Sequence, residues 1–580
     1  MKYLEYIENA NIIKNSKDKK LKKIDIAILR SYTCESLEPI LTTMLYEDKF
    51  NTEITYGAFN QYSQEILDEN SFLYKKVFDI VIILIRPQDI FPKLYTDYYK
   101  FEKNMSKEAN NTIKHFRSLL QKIQNNMHAK SVIISTLEEN FDEAEGIIDY
   151  TKNNSMVNFL KQFNMKLVKL ANEFISTYIM DINKIIQNVG TNNMYDFRMW
   201  YMSKNPYTIY GYEEISRFIC RIVKATYYKT KKIVVVDLDN TLYGGIIGED
   251  GIEKILISNE YPGNCYRDFQ IQLKKLKEKG IVLAIASKNN FSDVEKLFSH
   301  PYMVLKKEDF VEIYANWEDK YINIKELSNK LNLGLDSFVF IDDSSYELDY
   351  VKSKLPDVDV LKVPDKIYEL PNLLKELSYF DKFNITDMDK KKTELYSIKN
   401  MSSNFIGNEL DDFLQNLDIN LRIKELKPND MELTRASEMT LKTNQFNMTT
   451  KRYTVADMQN LLLQDDKKVL MVYAKDKYGN HGSVGLVVLD QISSSNWQID
   501  TFLLSCRVIK RKIEYAILEY ILKDAKKFNI KTISAPFIET EKNRNFKDFY
   551  KLSGGFFENG KFYFNIDKKY SIAPRYINIE

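Results

Sequence analysis

Cysteine is scarce in this chain. Its four copies, Cys34, Cys220, Cys265 and Cys506, are scattered over 580 residues, which excludes both a disulfide framework and a zinc site built from CxxC pairs. Reduced thiols in a cytoplasmic protein are the expectation. Net charge is also nearly absent: 83 Lys and Arg against 81 Asp and Glu leave +2. A chain so balanced is not one built mainly to hold nucleic acid. Long apolar runs are missing as well. The clean ones, such as 80–85, fall far short of the ~20 residues of a membrane span. The first twenty residues are charged and polar, without the apolar stretch and small-residue cleavage site of a secretion signal. Neither a membrane nor a nucleic-acid partner is expected. Internal repeats and long low-complexity tracts are lacking too.

What is present is core-forming material. A hydrophobic fraction of 44% and an aromatic fraction of 13% suffice for several packed cores and argue against disorder. At roughly 150 residues per domain the length suggests three or four domains. Apolar bursts at 24–29, 52–59, 78–85, 131–136 and 177–182 are short, rich in Ile and Val and set off by polar turns, and read as strands. The segments 61–76 and 151–175 between them have helical spacing. This alternation predicts a parallel sheet with helices on both faces.

A second α/β unit opens at 231–245, KKIVVVDLDNTLYGG. Four apolar residues run straight into a carboxylate, like a buried parallel strand that ends at a site. Ligands of open α/β sheets bind at the carboxyl ends of strands. The stretches 280–287 and 336–344 repeat the form, a helix is expected over 264–279, and the unit closes near 358–363. Residues 381–418 read as a charged, helix-prone connector. Longer strands with hairpin-like spacing follow at 420–426, 468–476, 482–490 and 496–505, the last running on into an amphipathic helix. The expected fold class is α/β, organised as α/β domains over 1–228 and 229–380, a helical connector over 381–418 and an α+β domain over 419–580.

The most informative stretch is Asp237-Leu-Asp239-Asn240-Thr241-Leu. Two carboxylates two residues apart at a strand end suit phosphoryl transfer. One can attack phosphorus and the other can hand a proton to the leaving group. The remaining charge calls for Mg²⁺ held through carboxylate oxygens. The bland alternative is a pair of capping or solvated aspartates, which IVVV before the pair and NTL after it disfavour.

The pattern resembles the haloacid dehalogenase (HAD) superfamily, and further residues fall in that family's order. The resemblance makes Ser287, ending LAIAS, the residue that hydrogen-bonds the phosphoryl group, with Asn240 and Thr241 beside it. It makes Lys320, in NWEDK, the charge-compensating lysine, a residue that composition alone would leave on the surface. Asp342 and Asp343, after FVFI, complete the Mg²⁺ site, with Asp343 the direct ligand and Asp342 behind it. Asp237 would give a carboxylate oxygen and Asp239 a backbone carbonyl. Only 50 residues separate Asp237 from Ser287, and 33 separate Ser287 from Lys320. Neither interval has room for a large cap, so an open site is expected, suited to a large or carrier-borne substrate.

The words LDNTLYGGIIGEDG, IASKNN, NWEDK, NLGLDSFVFIDD, TNQFNMTTKRYT and IDTFLLSCRV together resemble FkbH-like proteins over essentially the whole chain. The resemblance implies an N-terminal SGNH-hydrolase-like (flavodoxin-like) α/β domain, a HAD centre of subfamily IIIC with minimal cap, and a C-terminal GNAT-like acyltransferase fold. It further implies that a glyceryl-type three-carbon unit passes from 1,3-bisphosphoglycerate, with loss of phosphate, through an enzyme thioester to the phosphopantetheine thiol of an acyl carrier protein in polyketide-type assembly. A thiolate attacking a mixed acyl-phosphate anhydride is sound chemistry.

The chain departs from the family pattern in several places. Ala286 stands where many relatives have a cysteine, so Cys506, in FLLSCRV, becomes the candidate acyl carrier, its thiol favoured by a helix start and Arg507. The alternative for Cys506 is a small buried hydrophobe, and Cys220 and Cys265 read as core. The loop Arg507-Val-Ile-Lys510-Arg511-Lys512 lacks the glycines that let backbone N–H groups cradle a pyrophosphate, leaving basic side chains for phosphate. Asn444, Gln445, Asn543 and Tyr550 are expected to line an acyl or pantetheine cleft, against a capping or core role. In the first domain Ser31 lacks its flanking glycine, and Cys34 has no evident base. The only histidines before the HAD part are His115 and His128. A Ser-His-Asp triad is not expected there. The domain reads as a docking module, with tyrosines of 207–212 packing it on the HAD core. Two other functions stay open: a phosphatase acting on a carrier-bound or sugar phosphate, and a non-catalytic carrier-protein scaffold.

Overall fold

The computed structural model describes the chain except residues 1, 17–20, 128, 140–142, 228–229, 375–377, 384, 386–391, 394–413, 416, 429, 478, 506–507 and 510. It forms two compact units, Met1–Tyr227 with Tyr453–Leu463, and Tyr228–Arg452 with Gln464–Glu580.

In the first unit the Ile-rich bursts form β1 (Lys22–Arg30), β2 (Phe50–Tyr56), β3 (Ile80–Leu84), β4 (Ser131–Ser135) and β5 (Thr177–Met180). All pair in parallel in the order β2-β1-β3-β4-β5, a flavodoxin-like doubly wound sheet. Alternation along β1 splits the core. Ile24, Ile26 and Ile28 face the helices Leu37–Glu47 and Ile209–Thr226. Ala27 and Leu29 face Met105–Asn126 and Met156–Ala171. Two expected elements are shorter than their apolar patterns. β5 stops at Met180 because Asp181 turns out to cap the helix Ile182–Val189, accepting from the Asn183 N–H. The helix expected over 61–76 ends at Leu67, and Ser71 caps a separate turn at Phe72–Tyr74. Tyr207 and Tyr212 are a correction: both lie in this unit's own core against Tyr32 and Cys34, where burying a large ring stabilises more than an outward packing role.

The second unit carries two sheets. β6 (Ile233–Val236), β7 (Val282–Ser287), β8 (Phe310–Ala315), β9 (Phe338–Asp342) and β10 (Asp359–Lys362) are parallel in the order β10-β9-β6-β7-β8, the HAD-like Rossmannoid arrangement. β6 is central and wholly buried. Between β6 and β7 stand only the short helix Ile247–Asp250 and the helix Gly263–Glu278; between β7 and β8 stand the helix Phe291–Leu297 and the short turn Lys307–Asp309. Among the described residues neither interval holds an inserted domain. β8 is an edge strand whose half-exposed FVEIYA pattern explains why it gave no apolar burst.

The other sheet is built from β11 (Ile419–Glu425), β12 (Phe446–Asn447), β13 (Lys467–Asp476), β14 (Gly479–Ser493), β15 (Asn496–Leu504), β16 (Thr532–Pro536), β17 (Phe556–Glu558), β18 (Lys561–Asn565) and β19 (Ile577–Ile579). β11, β13, β14 and β15 form an antiparallel meander. The helix Ile513–Lys527 then crosses to β16, which runs parallel to β15. This is a GNAT-like α+β topology. β16 pairs only with residues 496–498 of β15, and β12 pairs with Leu503 and Leu504 further along. Most of the connector expected over 381–418 lies outside the described residues.

Candidate active site

The register of β6 and β9 pairs Val236 with Ile341, so the next residues, Asp237 and Asp342, leave adjacent strands side by side. The Asp237 N–H donates to the Ile341 carbonyl and fixes the turn. Carboxylate oxygens of Asp237, Asp342 and Asp343 lie within 4.8 Å of one another. Lys320 opens the helix Lys320–Leu331 and reaches the same point. Its Nζ is 3.0 Å from Asp237 Oδ1 and donates to Asp342 Oδ2 at 2.7 Å. Asp342 Oδ1 accepts from the Ser344 N–H. Asp237, Lys320 and Asp342 are all buried.

Three carboxylates face one ammonium in a dry place, and their acidities respond. Burial pushes Asp237 up to about 6, with Asp342 adding to the rise and Lys320 opposing it. Burial also raises Asp342, against Lys320, and raises Asp343, helped by Asp237. Burial works against the Lys320 charge, but Asp237 and Asp342 outweigh it and hold the ammonium above its usual range. Asp237 Oδ1 is buried and accepts no hydrogen bond, Lys320 being only an ion-pair neighbour. Hard oxygen donors carrying surplus negative charge, with one buried oxygen unsatisfied, fit a divalent cation such as Mg²⁺.

Asp239 lies beside this cluster and outside it. Its Oδ1 accepts from Tyr243 Oη at 2.7 Å and from the Ile247 N–H at 3.0 Å; its Oδ2 accepts from Asn289 Nδ2 at 2.9 Å. Asn289 Nδ2 also donates to Ser287 Oγ at 3.1 Å. Ser287 ends β7, next to β6, and its carbonyl accepts from the Asn316 N–H. Asn240, expected beside the phosphate, follows Asp239 in the turn. It takes a left-handed φ of 53° and its Oδ1 accepts from the Gly245 N–H, which closes the turn. Gly245 itself has φ 95°, and a Cβ there would meet Asp250 Oδ2 at 2.8 Å. The Thr241 hydroxyl is fully buried without a hydrogen-bond partner. Tyr243 and Asn289 escaped sequence reasoning, although both stand inside quoted words, LDNTLYGG and IASKNN.

The other expected residues are dispersed. In the first unit Ser31 Oγ donates to Asp89 and accepts from the Arg86 N–H, while His115 pairs with Ser63. Cys34 is fully buried, and burial pushes its thiol up to about 12; burial raises Cys220 and Cys265 too. A buried network that sequence reasoning missed crosses the strand ends: Arg86 donates through Nε and Nη2 to Glu138, Glu138 accepts from Tyr207 Oη, and Trp200 lies over the Arg86 guanidinium at 4.4 Å.

In the GNAT-like part, Cys506, Arg507 and Lys510 lie outside the described residues. Arg511 is a correction: its guanidinium is buried against Asp476 and His481, an ion pair that removes it as a phosphate ligand. Asn543 is another. It is fully buried, Nδ2 donates to the Asn447 and Ile538 carbonyls, and Oδ1 accepts from the Thr540 N–H. Its amide is spent on locking a loop. Tyr550 is a core aromatic among Phe549, Phe562 and Phe564, its hydroxyl without a hydrogen-bond partner. Asn444 Oδ1 accepts from Arg452, and Gln445 is half-buried. The residues after them fill the edge of β15: Met448 donates to the Phe502 carbonyl and accepts from the Ile538 N–H. No described helix is long and apolar enough to cross a membrane.

A HAD-type Rossmannoid sheet with an acidic cluster at its carboxyl edge defines an enzyme of the HAD hydrolase type. Comparison with known proteins goes further. Residues 25–224 match the family model described as FkbH, N-terminal domain. The crystal structure of the N-terminal part of BF1531 from Bacteroides fragilis, which contains a phosphatase domain and is complexed with Mg, is 27% identical, with TM-score 0.59, over 65% of this chain and 98% of that one. Over residues 25–224 the chain is therefore similar to FkbH proteins in their N-terminal domain. Ard1 from Thermoplasma volcanium aligns over 25% of this chain and 97% of its own at 17% identity, with TM-score 0.19. An N-acetyltransferase from Staphylococcus aureus Mu50 aligns over 26% and 99% at 15% identity, with TM-score 0.20. No curated protein matches the sequence.

Proposed function

We propose that the chain is a Mg²⁺-dependent phosphoryl and acyl transfer enzyme. In this reading it loads a glyceryl-type unit from 1,3-bisphosphoglycerate onto the phosphopantetheine arm of an acyl carrier protein, with loss of phosphate. The observation that carries the reading is Lys320 shared between Asp237 and Asp342 at the carboxyl edge of β6 and β9, in a chain whose residues 25–224 match the FkbH N-terminal domain model.

Asp237, Asp342 and Asp343 would hold Mg²⁺, which supplies charge neutralisation for a phosphoryl group. Asp237 attacks the phosphorus of the ester phosphate, the ester P–O bond breaks, and Asp239 gives its proton to the departing alkoxide. Asp239 then takes a proton from water, whose oxygen displaces phosphate from Asp237. Ser287 and Lys320 hold the phosphoryl oxygens. The acyl phosphate at the other end of the donor is already activated and needs only a thiolate, for which Cys506 is the candidate.

A second reading, a plain phosphatase without acyl intermediate, draws support from the cysteines: the three described ones are buried, with thiols less acidic than usual. Intact-mass measurement after incubation with Mg²⁺ and 1,3-bisphosphoglycerate separates the two. The transfer reading expects a glyceryl adduct lost in Cys506→Ala, and release of the ester phosphate lost in Asp237→Asn. Phosphate release with no adduct selects the phosphatase. A protein that does neither yet binds carrier protein is a scaffold.

A further inference from the structure

We propose that Tyr243 and Asn289 are positioning residues that aim one oxygen of Asp239, Oδ2, at the reacting phosphate ester. The proposal rests on the phosphoryl-transfer reading and names the residues that make its proton transfer directional.

A carboxylate oxygen accepts two hydrogen bonds in its plane. Asp239 Oδ1 has both taken, by Tyr243 Oη at 2.7 Å and the Ile247 N–H at 3.0 Å. Oδ2 has one, from Asn289 Nδ2 at 2.9 Å. The unused acceptor position therefore belongs to Oδ2, and that oxygen gives the proton to the leaving alkoxide and takes one back from water. Half-buried at a strand end, Asp239 would otherwise turn about χ1 and χ2. The donors that prevent this are themselves immobile. The Tyr243 ring has no exposed surface and Asn289 is buried. Asn289 shares its amide group with Ser287 Oγ, so the proton-handling carboxylate and the phosphate-holding hydroxyl are tied to one side chain. A proton donor misplaced by an ångström loses much of its effect.

A structural role would only fasten the 243–250 segment to the strand ends, and the leaving group distinguishes it from positioning. The test uses Mg²⁺-loaded full-length protein, wild type, Tyr243→Phe and Asn289→Ala. Two donors are compared, glycerol phosphate, whose alkoxide must be protonated to leave, and p-nitrophenyl phosphate, whose phenolate leaves without a proton. The readout is kcat/KM, which stops at departure of the leaving group, together with the melting temperature. Positioning predicts a fall of about tenfold to a hundredfold with glycerol phosphate and less than threefold with the nitrophenyl ester. Equal losses on both donors, or no loss on either, overturn it. If wild type releases phosphate from neither donor, or Asp237→Asn keeps full activity, the phosphoryl-transfer reading falls; if those controls behave and the variants match wild type, this inference alone falls.

Discussion

Lys320 Nζ stands 2.7 Å from Asp342 and 3.0 Å from Asp237, one ammonium serving two carboxylates that strand register sets side by side. Removing it leaves buried negative charge uncompensated, which typically costs about 3–5 kcal/mol. Lys320→Met is expected to lower stability by about 3 kcal/mol at pH 8 in chelator, and by less at pH 5, where the carboxylates take up protons. Urea denaturation at the two pH values checks this.

Metal binding carries the opposite sign. The Asp237 carboxyl is raised to about 6 in the folded chain, above its unfolded value. Its contribution to stability is therefore full below about pH 4 and is lost as pH rises through about 6. Mg²⁺ needs the deprotonated form and restores what is lost. Saturating Mg²⁺ is expected to stabilise the protein more at pH 8 than at pH 5, reaching about 3 kcal/mol at pH 8 at roughly a hundredfold excess over Kd, and to raise the melting temperature accordingly. Calorimetric scans with Mg²⁺ and with EDTA measure it.

Glu514 lies in the first turn of the helix Ile513–Lys527 in the GNAT-like part, and burial pushes its carboxyl up to about 7 while a backbone N–H and Lys512 pull it down. Stability from this group is present below about pH 4.5 and is lost as pH rises to about 7. Glu514→Gln is expected to stabilise the protein at pH 8 by on the order of 2 kcal/mol and to do nothing at pH 4.5. Urea midpoints at both pH values decide it.

In the first unit Glu138 is fully buried against Arg86. Glu138→Ala leaves a guanidinium uncompensated and is expected to cost about 3–5 kcal/mol. The double change Arg86→Met with Glu138→Leu is expected to recover most of that. A double change as unstable as the single one would show that the network contributes more than charge pairing.

The sequence showed most plainly what depends on short-range pattern. β1, β3, β4, β6, β7 and β9 are buried on both faces, so each left a continuous apolar burst. β8 and β10 sit on edges with half-exposed residues and left fainter traces. Asp237 and Asp342 could be singled out because each ends a burst. The roles of Tyr243 and Asn289 could not be read there, since they depend on two loops from different strands meeting at Asp239. Arg511 and Asn543 look like ligand-binding residues by type, but Asp476 and the Asn447 carbonyl, both distant in sequence, claim their polar atoms. Burial of Tyr207 and Tyr212 in their own core likewise follows from packing, which composition does not reveal.

Release of the ester phosphate from a three-carbon phosphate monoester, followed with and without Mg²⁺ in wild type and Asp237→Asn, tests the central claim most directly. The account predicts release that requires Mg²⁺ and falls at least about a hundredfold in the variant. Equal release by both proteins, or release indifferent to EDTA, would contradict it.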